Sequence, residues 1–245
     1  MNRTAPRRAG WLLAALLSVA FAAACASSDE ARPVRIAQPL PDQETLQYTL
    51  LDRNGQQIGG ATLSIQQQGA TLTLGQQYTD LSGHTDTLST TVDAATLLPV
   101  AAQRTIDSGD VQSTLKVQYS SGQVTAAVTS GGTTHNASET ITTNSTYDDQ
   151  ESFFLLRTLP FTPGYTTQFV LVVTDATHGT ISRALATAHV VGMTTAKVGN
   201  RNPAAWEVQL TAAGATNTAW FDTSPARRLL RYDNSGQTRI ELKNP

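Results

Sequence analysis

The chain has 245 residues, with 17 basic and 19 acidic side chains and one cysteine. A lone cysteine excludes an intramolecular disulfide and any cysteine-built zinc or iron–sulfur site, so stability must come from the packed core. The acids are scattered and no basic stripe exists, which argues against nucleic acid as a partner.

Residues 1–24 read as a secretory signal peptide. Arg3, Arg7 and Arg8 stand in a start without acids, Trp11 to Ala24 is apolar apart from Ser18, and charge returns at Asp29-Glu30. This is the basic, apolar and small-residue pattern of an export signal, and the apolar run is shorter than the roughly 20 residues a spanning helix needs. Ala22-Ala23-Ala24-Cys25 resembles the lipobox of bacterial lipoproteins, with Ala22 where Leu or Val is usual. The resemblance implies that Cys25 receives a diacylglyceryl group and becomes the mature N-terminus. The competing reading is ordinary signal cleavage after a small-x-small run, which would discard Cys25 or leave it as an exposed thiol in an oxidising compartment. Lipidation places the chain in the cell envelope, anchored to a membrane. Ala26 points to the outer membrane facing the periplasm, because aspartate at that position commonly retains lipoproteins at the inner one. Without lipidation the chain is periplasmic or secreted. Removing the three signal arginines leaves 14 bases against 19 acids, a net charge near −5.

Residues 25–43 are polar and hold three prolines, the composition of a flexible tether. Residues 44–245 then form a single β-rich domain, long enough for one good core. The chain holds 37 threonines, whose β-branched side chains favour a pleated, half-solvated surface. Leu46, Tyr48 and Leu50 alternate with polar residues, and Asn54-Gly55 is a hairpin signal. Ala61, Leu63 and Ile65 alternate next, then Leu72 and Leu74, then Leu115, Val117 and Tyr119, then Val124, Ala126 and Val128. Turns fall at Gln68-Gly69, Asp107 to Asp110, Ser120 to Gly122 and Gly131-Gly132, and Asn234-Ser235-Gly236 closes a last hairpin. The predicted fold is all-β, a curved antiparallel meander forming a half-barrel or barrel.

Two segments depart from alternation. Thr146 to Leu159 starts with a capping-box-like Thr146 and Asp149 and stops at Pro160, which predicts one short helix. With Phe153, Phe154, Leu155, Leu156 and Leu159 it is apolar enough to need the concave face of the sheet. Phe169 to Val173 is apolar on both faces, which predicts a strand buried on both sides.

Leu155-Leu156-Arg157-Thr158-Leu159-Pro160-Phe161 with Gly164, Asp93 through Thr96-Leu97-Leu98-Pro99, and Trp220-Phe221-Asp222 with Arg228 to Tyr232 carry a family resemblance. Over roughly residues 44–242 the chain resembles an uncharacterised family of secreted bacterial β-rich proteins, a domain of unknown function. That family is similar in fold to the half-barrels of periplasmic lipoprotein carriers, and it brings no catalytic residues with it. Val198 to Pro203 stands where the family often has a short Pro-Gly turn.

Catalytic, cofactor and metal constellations are not found. His84, His135, His178 and His189 lack metal-ligand spacing, and no nucleophile elbow, phosphate loop or dinucleotide fingerprint occurs. Asp148-Asp149 reads as acids at a helix N-terminus, favoured there by the helix dipole. The aromatic residues of the C-terminal half suggest either plain core or a ligand pocket built from Phe153, Phe154, Arg157, Tyr165, Trp206 and Trp220, with Trp206 facing inward beside Val208 and Leu210. The expected function is therefore that of a non-enzymatic envelope lipoprotein binding a lipid, another apolar ligand or an envelope component. The alternatives are a structural or assembly protein engaging a partner protein through its sheet, and a hydrolase with a scattered active site.

Overall fold

The computed structural model describes residues 31–109 and 111–244. The expected signal peptide and Cys25 lie outside the described residues. Fifteen strands form one sheet: β1 Gln43–Asp52, β2 Gln57–Gln68, β3 Thr71–Asp80, β4 Thr85–Asp93, β5 Pro99–Asp107, β6 Gln112–Ser120, β7 Gln123–Ser130, β8 Thr133–Thr140, β9 Thr146–Asp148, β10 Thr166–Thr174, β11 Ile181–Thr195, β12 Ala204–Ala212, β13 Ala215–Asp222, β14 Leu229–Asn234 and β15 Thr238–Leu242. A 3-10 turn, Asp149–Glu151, leads into the one helix, α1, Ser152–Arg157. The spatial order runs β8 to β1, then β15 down to β9, so two meanders meet at the β1–β15 pair and the sheet does not close. Every pair is antiparallel except β9 with β10.

Alternation carries one face of the sheet from strand to strand. Tyr48 stands opposite Ala61, Ala61 opposite Tyr78, and Tyr78 opposite Asp86. All six residues of α1 are buried, and the core around it includes Tyr48, Leu50, Leu63, Ile65, Phe169, Phe221, Tyr232 and Ile240. A helix apolar all round has no solvent face, so it lies inside the curl of the sheet, as expected. Its cap differs from the expected one. The capping box sits on the 3-10 turn, where Asp148, not Thr146, accepts from the Gln150 N–H and Glu151 reaches back to the Asp148 N–H at 2.9 Å, while α1 itself has no side-chain cap. Thr146 instead belongs to β9 and pairs with Val170.

The doubly apolar strand is β10, and the sheet buries it by overlapping itself. Phe169 and Leu171 face the helix-bearing core, whereas Val172, on the other face, packs with Leu115, Val117, Val124 and Val128 of β6 and β7 in a second core. Arg183 on the same outer face pairs with Glu139 of β8 at 3.0 Å, and Ser113 donates to the Ala176 carbonyl at 2.9 Å. The β6–β8 end therefore lies over the outside of β10 and β11, and the sheet is rolled rather than cupped.

The described part of the expected tether is docked. Arg32 donates to the Gln168 carbonyl at 2.9 Å, Val34 to the Tyr147 hydroxyl at 3.0 Å, and Ala37 to the Thr158 carbonyl at 2.8 Å. Val34 and Leu40 are buried, and these two apolar side chains in a polar run are what hold the segment down. The Ala37 and Gln38 N–H groups satisfy the Thr158 carbonyl at the end of α1, a group the helix itself cannot pair. Tyr147→Phe leaves the Val34 N–H without its acceptor. It is expected to cost about 1–3 kcal/mol and to speed tryptic cleavage after Arg35, followed by mass spectrometry.

Candidate functional site

The expected ligand pocket is filled by the protein itself. Phe153 meets Tyr232 edge-on at 4.3 Å between centroids, and both it and Phe154 are buried. Beside Tyr78, Phe153, Tyr232 and Ile240 there remains about 20 Å³, and beside Tyr48, Leu63, Phe154 and Leu229 about 10 Å³. Each is the room of a single water molecule at most, far from that of a lipid tail. Arg157, expected at a pocket rim, is committed inside: it pairs with Glu44 at 2.5 Å and donates to the Ala226 carbonyl.

The two tryptophans do not converge. Trp206 stands opposite Phe221 on the inner face, half-buried, with its ring 5.7 Å from that of Phe161. Trp220 stands opposite Glu207 and Arg231, on the other face from Ala219 and Phe221, and Arg231 lies 4.9 Å over its ring. The strand parity of β13 places Phe221 inside and Trp220 on the opposite face, where it is half-buried and still packs against residues of the main core. Tyr165 is half-buried at the start of β10, packed against the main core.

The structure gathers a different set of groups at the seam of the roll. The 3-10 turn before α1 packs against β4 and β10, and β9 just before it packs against β5. Asp148 and Glu151 are fully enclosed and Asp149 is nearly so. Tyr119 donates to Asp148 at 2.5 Å, Tyr78 donates to Gln76 at 2.7 Å, and the Gln76 amide donates to the Gln150 carbonyl. Facing them, Arg104 grips Asp86 through Nε at 2.9 Å and Nη2 at 2.6 Å. Asp149 Oδ1 and Glu151 Oε2 have no hydrogen-bond partner. Burial, then the neighbouring Asp148 charge, holds Asp149 and Glu151 well above the usual carboxylate range, with Arg104 opposing the rise at Asp149. Burial also raises Asp148, against the pull of Tyr119.

The acids of this turn were read from sequence as helix-dipole partners, with no role assigned to Asp86 or Arg104. Parity held the missing signal: Asp86 shares its face with Leu88, Thr90 and Val92, and Arg104 shares its face with Ala102. Chemically the cluster can store protons in the fold. The histidines lie elsewhere. His84 pairs with Asp80 at 3.0 Å and His178 with Asp175 at 2.7 Å, while His189 bonds Thr166 at 3.0 Å and His135 is exposed on β8. Among the described residues no group of three or more His, Cys, Asp or Glu side chains could hold a metal ion, and no helix is long and apolar enough to cross a membrane.

These features define a rolled, mostly antiparallel sheet wound around its own helix, with an ionisable seam and, among the described residues, little free space beside the helix. The chain belongs to a family described as a protein of unknown function (DUF3108), whose profile matches residues 45–243. Comparison with curated proteins finds no match. Among solved structures, it is similar to the hypothetical lipoprotein YmcC from Escherichia coli, with 10% identity over 82% of this chain and 84% of that one and a TM-score of 0.36. It is also similar to a putative exported protein with a YmcC-like fold from Bacteroides fragilis, with 11% identity over 84% of this chain and 98% of that one and a TM-score of 0.30.

Proposed function

We propose that the protein is a lipid-anchored, non-catalytic component of the bacterial cell envelope that acts through its outside, by holding an extended segment of another envelope protein at the open edge strand β8. The export signal and the lipobox-like run ending at Cys25 support the address. The filled hollow argues against a carrier of apolar ligands, which was the first expectation, and turns the reading toward the alternative of a partner bound by the sheet.

The carrying observation is β8 itself. It ends the sheet, pairs with β7 in an unbroken register, and contains neither the proline, the lysine nor the bulge that usually blunts an edge. Gly131 and Gly132, both at positive φ, make a two-residue turn, so Ser130 and Thr133 form a hydrogen-bonded pair. Counting from there, Thr134, Asn136, Ser138 and Thr140 direct their backbone N–H and C=O groups away from β7. An incoming strand needs that alternate set of donors and acceptors.

A photo-crosslinking residue at Ser138, expressed in intact cells, should give one discrete adduct with an envelope protein. Asn136→Pro removes an outward N–H without touching the β7 ladder, and should abolish the adduct while leaving the melting temperature within a few degrees. An adduct that survives the proline, or none at all, overturns the edge as the binding site. Native mass spectrometry checks the interior, and stoichiometric retained lipid would restore the carrier reading.

A further inference from the structure

We infer that the end of the roll carrying Val191, Met193, Phe161 and Trp206 rests on the bilayer surface, so that the protein is oriented on its membrane and not merely leashed to it. This rests on the proposed lipidation of Cys25. Three observations lead to it.

The first is reach. The chain is docked from Arg32 onward, and seven residue steps separate Cys25 from Arg32. Fully extended they span about 24 Å. A domain of about 200 residues has a radius of gyration near 16 Å and is more than 40 Å across. A leash well short of that width cannot bring the far end of the domain to the membrane.

The second is where the leash leaves. Arg32 is bonded to Gln168, three residues from Tyr165 and so about 10 Å from it along the strand. The Tyr165 carbonyl in turn accepts from Val190 at 2.9 Å, and Gly164 donates to the Val190 carbonyl at 2.8 Å. The exit point and residues 191–193 of β11 therefore share one end of the roll.

The third is what that end shows to solvent. Val191 and Met193 are 42% and 63% exposed, two of the five large apolar side chains so exposed among the described residues. Met193 stands opposite Trp206, Trp206 lies 5.7 Å from Phe161, and Arg227 caps the Phe161 ring at 4.2 Å. An exposed methionine opposite a half-buried indole, with a stacked guanidinium beyond it and an exposed valine two residues away on the same strand, matches the headgroup boundary, where amphipathic rings and long cationic side chains are favoured. The match is apolar and aromatic more than ionic, because Asp29 and Glu30 in the leash offset Arg32 and Arg35.

The test is quenching of Trp206 by vesicles of dibrominated phosphatidylcholine with one-quarter phosphatidylglycerol, in a Trp220→Phe background that leaves Trp206 as the only indole after signal removal. In the lipidated protein, Trp206 emission should fall at least twofold. Met193→Asp combined with Val191→Asp should largely restore it while the protein still fractionates with membranes. In the reciprocal protein, Trp206→Phe, emission from Trp220 should not change. An anchored protein whose Trp206 is unquenched overturns the inference and leaves the anchor standing. The Cys25→Ser protein, titrated with the same vesicles to millimolar lipid, should show weaker quenching that Met193→Asp removes. Quenching there, together with wild-type protein that fails to fractionate with membranes, removes only the anchor, and no quenching in either protein removes the inference.

Discussion

Phe153→Ala is expected to cost about 3–5 kcal/mol in unfolding free energy, the range for deleting an enclosed aromatic side chain. Phe153 is 7% exposed and T-stacked on Tyr232 at 4.3 Å, and it lines both of the small voids beside α1. Removing the ring merges those voids with its own volume, and the surrounding strands are too firmly paired to close the gap. In a domain of this size, 1 kcal/mol moves the melting temperature by about 2–4 °C, so a fall of about 6–20 °C is expected in calorimetry. Phe153→Leu, which retains most of the apolar volume, should lose less than half as much. A loss below about 1 kcal/mol in Phe153→Ala would mean that α1 is not held in the curl of the sheet. The enlarged cavity adds a second readout. It is apolar, and an apolar dye that ignores the wild-type protein should bind the variant.

The strands, their turns and the inward helix were legible because each rests on local chemistry. Threonine-rich alternation, Gly55, Gly122 and the Gly131-Gly132 pair mark hairpins without reference to anything distant. The roll was not legible, because β1 with β15 and β6 with Val172 join residues far apart in sequence, and no local pattern encodes those meetings. Phe169 to Val173 came closest: its two apolar faces required a second cover, though not a named one. The site misled for a related reason. Trp220 was grouped with Trp206 as a pocket residue of the C-terminal half, whereas Ala219 and Phe221 already occupied the inward parity of β13 and left Trp220 on the opposite face. Arg157 was counted among the pocket residues for its place one turn from the phenylalanines, but Glu44, 113 residues away, takes its charge and makes its burial tolerable. The docking of Val34 and Leu40 was hidden among prolines and polar residues.

Arg104→Met should cost about 3–5 kcal/mol at pH 8, and a large part of that loss should be recovered near pH 5. The magnitude is that of breaking an enclosed ion pair from one side, which leaves Asp86 charged, 1% exposed and without its bidentate partner. The pH dependence follows from the seam. Asp149 and Glu151 already have raised proton affinities in the folded state, from burial first and the Asp148 charge second. A carboxyl whose folded pKa exceeds its unfolded value binds more protons when folded, so its contribution to stability is complete below the ordinary range near pH 4 and is lost as pH rises through the folded value. The wild-type protein should thus lose stability on going from mildly acidic to alkaline solution, and Asp149→Asn with Glu151→Gln should flatten that slope. Removing Arg104 takes away the one cation that opposes the rise at Asp149, so the slope should steepen and its midpoint move to higher pH. Arg104→Met combined with Asp86→Leu, which replaces the pair by apolar groups, should restore most of the stability at pH 8, because the penalty lies in the stranded charge more than in the lost attraction. Melting curves of the four proteins between pH 5 and 8.5 check all of this, and equal losses for Arg104→Met at both ends of that range would show that the seam carboxylates are not electrostatically joined to Arg104.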